Sequence, residues 1–327
     1  MPERFPRARV RRWRRSLAFA VLFAIGGCGS PPTNPSPVLS LQCPASLEVP
    51  SRDGTGAEVA FTPVVAGGTG AITTTCSPAS GATLPVGNTS VSCTASDAAG
   101  QSAACTFTVR VTAPPRLRFT RFLAFGDSVT EGKVSPTPTI LVRVAFPGAY
   151  PERLQEMLSV RYTAQTFDVL NRGVGGERLA RGRTRLPGVL DADRPEVLLL
   201  LEGINAIRRV STAALVSDLR EMIESARKRN VEVLVALLPP VGPAWETKEP
   251  GTLEAVRAFN EEIRRIAPAS GLGDAVDLYT PFEADASLLG ADGLHPTEIG
   301  YARMAEVFFS AIKDRWELPP DAASVSQ

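Results

Sequence analysis

The chain has 327 residues, with 35 Lys and Arg against 34 Asp and Glu and a formal net charge of +1. That length exceeds one small domain, and the charge balance gives no global attraction for nucleic acid. A hydrophobic content of 44% with 21% charged residues excludes a disordered chain. There is one histidine, His295. Zinc sites built on two or three histidines are therefore excluded, and any chemistry that needs imidazole must use this residue.

Residues 1–15 carry seven arginines against a single acid, Glu3. The uncharged apolar run Leu17–Ile25 follows, too short for a stable membrane-spanning helix but suited to a signal-peptide core. The segment closes on Ile25-Gly26-Gly27-Cys28. This resembles a bacterial lipoprotein signal, which implies a signal peptide over residues 1–27, cleavage before Cys28 and lipidation of Cys28. Cleavage would remove seven arginines and one glutamate, so the formal charge of +1 becomes −5. Residues 28–38, Pro- and Ser-rich, read as an extended tether. The expected location is the bacterial cell envelope, with membrane contact through the lipid anchor. Gly29, where inner-membrane lipoproteins often have an acid, favours the outer membrane.

Residues 39–113 are poor in charge and rich in Thr, Ser, Val, Ala and Gly. Alternating runs such as Glu58–Thr62 and Thr89–Cys93 are separated by turn signals at Gly67-Gly68, Gly81, Gly87-Asn88 and Asp97–Gly100. Short strands at this spacing predict an all-β sandwich. Its four cysteines, Cys43, Cys76, Cys93 and Cys105, imply two disulfides in an exported module, with three pairings open. The segment resembles the hyalin-repeat (HYR) family of immunoglobulin-like modules. The resemblance rests on Cys43-Pro44, Cys76-Ser77-Pro78 with Gly81, Gly87–Cys93, Thr94–Gly100 and Cys105–Val109. It implies spacing, or contact with a surface glycan or protein, rather than chemistry.

From Arg118 onward, strand-like and helical stretches alternate. Phe119–Phe125, Thr166–Leu170, Glu196–Leu201, Val231–Leu238 and Ala275–Leu278 read as strands. Tyr150–Val160, Thr212–Arg229, Thr252–Ile266 and Pro296–Trp316 read as helices. The alternation predicts a three-layer α/β/α domain over residues 114–317, a parallel sheet with helices on both faces, with residues 318–327 as a flexible tail. In such sheets chemistry lies beyond the carboxyl ends of the strands. Four loops there hold candidates: Gly126-Asp127-Ser128, Asn171-Arg172-Gly173 with Gly175-Gly176, Gly203-Ile204-Asn205, and Asp292-Gly293-Leu294-His295. Taken singly, each has a plain reading: a turn, a glycine loop, a helix cap for Asn205, a packed histidine. The glycine run fails as a dinucleotide fingerprint, because Arg178 stands where the third glycine belongs. Their order along successive strands, together with the chain's single histidine, points to one site.

These four blocks, in this order and context, resemble the SGNH (GDSL-type) hydrolase family over about residues 118–316. The resemblance implies Ser128 as nucleophile, His295 as general base and Asp292 as the residue that orients it. It also implies an oxyanion hole formed by Ser128, Gly173 and Asn205. Ala206 departs from the family, which often has Asp there; the expected effect is on loop packing. The chemistry is sound on its own terms. A serine hydroxyl needs a neighbouring imidazole to take its proton, and a carboxylate three residues away can fix that imidazole's tautomer. No metal or cofactor is expected.

The substrate expected is a small-molecule or glycan ester with a small acyl group. A lipase, lysophospholipase or thioesterase acting on longer chains is the alternative, and a non-catalytic surface-binding lipoprotein is the alternative of another class. Lys133–Gly148, with its apolar run Ile140–Phe146, and Pro239–Gly251, with Trp245, are the segments that could wall the substrate site.

Overall fold

The computed structural model describes residues 37–143 and 148–319. The expected signal segment, Cys28 and most of the expected tether lie outside the described residues, as do Val144–Pro147 and the residues from Pro320.

The first unit is all β. Its strands are β1 (Ser40–Gln42), β2 (Leu47–Pro50), β3 (Gly56–Val59), β4 (Val64–Ala66), β5 (Ile72–Ser77), β6 (Ala82–Pro85), β7 (Gly87–Asp97) and β8 (Ser102–Thr112). The main sheet has the order β2-β8-β7-β5, and β1-β4 and β3-β6 form two-stranded ladders. Strict alternation in β7 buries Val91, Cys93 and Ala95 on one face, and β8 adds Phe107, Val109 and Val111, as period-2 geometry requires. Val91, Cys93, Phe107, Val109 and Val111 pack with Val59, Phe61 and Leu84 in a core of their own. The disulfides join Cys43 to Cys105 and Cys76 to Cys93. The second links residues directly opposite each other on β5 and β7. Asp97 is buried at the β7–β8 turn and accepts from the N–H groups of Thr69, Ala99 and Gln101. Burial works to raise its pKa, but these hydrogen bonds outweigh it and hold the carboxyl below its usual range.

The second unit is α/β. A two-stranded ladder of β9 (Arg116–Leu117) with β16 (Glu317–Leu318) joins its two ends, so Leu318 belongs to a strand rather than to the tail. Its sheet contains β10 (Arg121–Gly126), β13 (Asp168–Gly173), β14 (Val197–Leu201) and β15 (Glu232–Val235), all parallel, in the order β13-β10-β14-β15. Between β10 and β13 come α1 (Ser128–Glu131), the hairpin β11 (Lys133–Thr137) with β12 (Ile140–Arg143), and α2 (Tyr150–Arg161). After β13 the helices are α3 (Leu179–Asp193), α4 (Thr212–Arg227), α5 (Pro243–Lys248), α6 (Thr252–Ala269), α7 (Tyr279–Ala284) and α8 (Glu298–Trp316). Every residue of β14 is buried, as expected of a central parallel strand covered on both faces. The core built on these strands is continuous from Leu117 to Ile312 and separate from that of the first unit.

Several elements differ from those the sequence predicts. The strand expected at Ala275–Leu278 is reduced to a single parallel bridge between Ala236 and Val276. Helix α3 is not among the predicted elements, because Gly182 and Pro187 interrupt it and arginines crowd it. Its buried face, Leu179, Gly182, Leu186 and Leu190, nevertheless follows a helical period. The segment Lys133–Gly148, for which no element is predicted, begins as a hairpin.

Candidate active site

Strand β10 lies between two parallel neighbours, so its carboxyl end opens at the middle of the sheet. The chain turns there directly into α1. Asp127 caps this short helix, its carboxylate accepting the Val129 N–H at 2.9 Å. Ser128 is therefore the first helical residue, and its own N–H has no partner within the helix. Its Oγ–H donates to His295 Nε2 at 2.9 Å, and His295 Nδ1–H donates to Asp292 Oδ2 at 2.6 Å. The other carboxylate oxygen of Asp292 accepts the Leu294 and His295 N–H groups at 2.9 and 3.0 Å. Burial opposes ionisation of Asp292, but the His295 ring and these two N–H donors outweigh it and hold its pKa below the usual carboxylate range. The three residues named from the sequence, 167 positions apart at their extremes, thus form one hydrogen-bonded chain.

The histidine loop is fixed on several sides. Gly290 N–H donates to His295 O, Ala291 N–H to Ser135 O on β11, and Gly242 N–H to Gly293 O. Thr297 then caps α8 by accepting the Gly300 N–H. An imidazole held in this way loses little rotational freedom on binding substrate.

Asn205 sits in the turn after β14. Its side-chain Nδ2 is buried and has no hydrogen-bond partner among the described residues. It does not cap α4, a role that belongs to Ser211. A buried amide donor without an acceptor is costly unless something occupies it during function. Gly203, two residues earlier, has φ +138°, and a Cβ there would lie 2.9 Å from the Phe259 ring, so only glycine lets the turn present Asn205 in this way. Ala206, where an aspartate was the family expectation, is buried in the core.

One expected donor requires correction. The Gly173 N–H is already given to the Asn171 side-chain oxygen at 3.0 Å. Gly173 is needed for packing: a Cβ there would meet the Glu131 backbone nitrogen at 2.1 Å. Along the same turn, Val174 N–H donates to Gly126 O, Gly175 N–H to Glu131 Oε2, and Glu177 N–H to Val174 O. Gly176 is the residue of this run whose N–H has no acceptor among the described residues. The backbone donor that this loop can offer an oxyanion is therefore that of Gly176, not Gly173.

Below the site lies a buried acidic group that the sequence did not reveal. Glu177 (1% exposed) and Glu202 (3% exposed) approach the same point beside Gly182. Glu177 is held by the Arg185 guanidinium, which also lies 3.9 Å over the Phe125 ring. Neither oxygen of Glu202 has a partner among the described residues. Burial, reinforced by Asp127 and Glu177, pushes the Glu202 carboxyl well above its usual range. Burial likewise raises Asp127 to about 6. Glu202 takes up a proton on folding, so its contribution to stability is lost as pH rises from the unfolded carboxyl range through the raised folded value. Glu202→Gln, which resembles the protonated acid, should therefore gain melting temperature over wild type as pH rises above the ordinary carboxylate range. Thermal denaturation across that rise checks it; a gap that shrinks with pH would count against a protonated Glu202.

The profile of the GDSL-like Lipase/Acylhydrolase family matches residues 124–303, and that of the HYR domain matches residues 34–111. Esterase TesA of Pseudomonas aeruginosa is 26% identical over 163 residues, 48% of this chain and 76% of that protein. An arylesterase of Vibrio mimicus is 27% identical over 123 residues, 37% of this chain and 56% of its own length. Among solved structures, the lipase/acylhydrolase from Enterococcus faecalis aligns with TM-score 0.52 and 20% identity, over 60% of this chain and 97% of that one. The native aryl esterase of M. smegmatis gives 0.51 and 18%, over 60% and 99%. The last two likenesses concern the fold.

Proposed function

Because the chain belongs to the GDSL-like lipase/acylhydrolase family and is an ester hydrolase, we propose that it works through a Ser128–His295–Asp292 triad. The observation that carries this reading is the continuous hydrogen-bonded chain of those three side chains beside an unpartnered Asn205 amide. Ser128 Oγ attacks the ester carbonyl carbon while its proton passes to His295 Nε2. The carbonyl electron pair moves onto oxygen, facing the Ser128 and Gly176 N–H groups and Asn205 Nδ2. Collapse expels the alcohol, which takes the proton from Nε2 and leaves an acyl-Ser128. Water, deprotonated by His295, attacks this ester in turn and returns Ser128 with a carboxylic acid. Asp292, kept ionised, stabilises the imidazolium formed in each half.

The acyl group in this reading is short. A cavity bordered by Val129, Leu201, Ile204, Leu238 and Leu294 adjoins the serine, asparagine and histidine blocks, with about 10 Å³ of free volume. That is room for roughly one water molecule, which favours a short acyl group over a long one. Hydrolysis of p-nitrophenyl esters from two to sixteen carbons should fall by about tenfold or more in kcat/KM between the acetate and the octanoate. A maximum at eight carbons or beyond would favour the longer-chain lipase or thioesterase alternative. A purely binding role is disfavoured because nucleophile, base and orienting acid are all present.

The proposed location is the bacterial cell envelope, with an anchor through a lipid on Cys28 and the HYR-like unit as spacer or surface contact. This rests on the leader sequence. Membrane fractionation should find the wild type with the membrane and Cys28→Ala released from it; equal distribution of the two would remove the anchor.

A further inference from the structure

A second, larger cavity opens beside the histidine. It holds about 620 Å³ and is lined by Ser135, Ile140 and Leu141 of the hairpin, by Trp245 and Lys248 of α5, and by His295. Ile140, Leu141 and Val142 expose 51, 47 and 44% of their surfaces, an apolar patch that no described element covers. Lys248 Nζ lies 4.8 Å from the Trp245 ring centroid. Both walls are tied to the loop that carries the base: β11 through Ala291 N–H to Ser135 O, and the α5 entry through Gly242 N–H to Gly293 O. The cleft is thus part of the same rigid assembly as His295.

Which part of an ester belongs there follows from the proton transfers. The departing alcohol oxygen must receive its proton from His295 Nε2, so the alcohol lies on the histidine side of the scissile bond. The acyl group points elsewhere. Resting on the Ser128 esterase reading, we infer that the cleft between the β11–β12 hairpin and α5 is the leaving-group subsite, and that it takes an alcohol bearing a ring, seated against Trp245 and the hairpin's apolar side chains. The cleft has the volume of a ring-bearing moiety, and an indole at its wall offers a face to aromatic or sugar rings alike. The enzyme is then selective for a bulky alcohol joined to a short acid.

The test uses the full mature chain and pairs of esters that share the acetyl group. Wild type, Trp245→Ala, Leu141→Ser and Ser128→Ala are compared on 1-naphthyl acetate, a peracetylated pyranose and methyl acetate. Trp245→Ala should raise KM for the ring-bearing acetates by about 3- to 10-fold, while kcat/KM for methyl acetate changes by less than about twofold. Leu141→Ser, on the exposed hairpin, should act in the same direction without risk to the core. A loss on the naphthyl ester, on the pyranose or on both supports the subsite and identifies the ring. Equal effects of both variants on all three acetates would overturn it. Ser128→Ala separates the two readings: if it abolishes hydrolysis while Trp245→Ala and Leu141→Ser show no selectivity, only the subsite falls. If Ser128→Ala hydrolyses every ester, the triad itself falls.

Discussion

Ser128→Ala is expected to lower kcat for p-nitrophenyl acetate by on the order of 10⁴–10⁶-fold, with the fold intact. The substitution removes one oxygen at a corner whose shape is set by its neighbours: Asp127 caps Val129, and β10 is hydrogen-bonded on both sides. Circular dichroism and melting should therefore be almost unchanged. His295→Ala should cost a similar factor, and the double variant little more than either, because the two residues act as one unit. No other histidine exists to substitute. Turnover within tenfold of wild type in either single variant would end the triad reading.

The second large effect is expected at Asn205. Asn205→Ala should reduce kcat by about 10²–10³-fold with KM nearly unchanged, equivalent to ~3–4 kcal/mol of transition-state stabilisation. The side chain has no structural partner to lose, since its Nδ2 is unpaired at rest among the described residues. Thermal stability should hold or rise slightly, because an unsatisfied buried donor is removed. A fall in melting temperature with only a small change in kcat would show a structural role instead. Steady-state kinetics with a melt on the same preparation separates the two outcomes.

Both predictions concern residues that the amino-acid sequence itself singles out. Ser128, Asn205, Asp292 and His295 stand at the ends of strands or in the loop before the last helix, and their order along the chain carries the family resemblance. The two-part architecture is legible for a similar reason, since β7 alternates with period two while α4 and α6 repeat their apolar residues with the period of a helix. Local patterns record burial on one face, and burial is what a period reports.

The remainder depends on contacts between distant residues. Gly173 and Gly176 are both glycines of one loop, and the sequence cannot tell which amide is left open. The Asn171 side chain occupies the first, and the backbone of α1 crowds against it. Nor does polarity reveal that Glu177 and Glu202 are buried: a carboxylate normally signals surface, and it is the hydrogen-bonded Arg185, laid over Phe125, with Arg181 beside it, that makes the interior tolerable for Glu177. Helix α3 is hidden by its glycine and proline, and its apolar face is stabilised by packing on the sheet rather than by propensity.

By itself, then, the sequence determined the kinds of element, the division into an all-β and an α/β unit, and the reactive residue types with their order. It also set the limit that one histidine places on the chemistry. Only the tertiary structure decided which cysteines pair, which glycine N–H remains free, which acids lose their water, and that a large cleft stands beside His295 while the cavity bordered by Val129, Leu201 and Leu294 is small. The reason is physical. Periodicity and residue type are local properties of the chain, whereas the occupancy of a hydrogen-bond donor and the volume of a cavity are set by whatever distant segment packs against them.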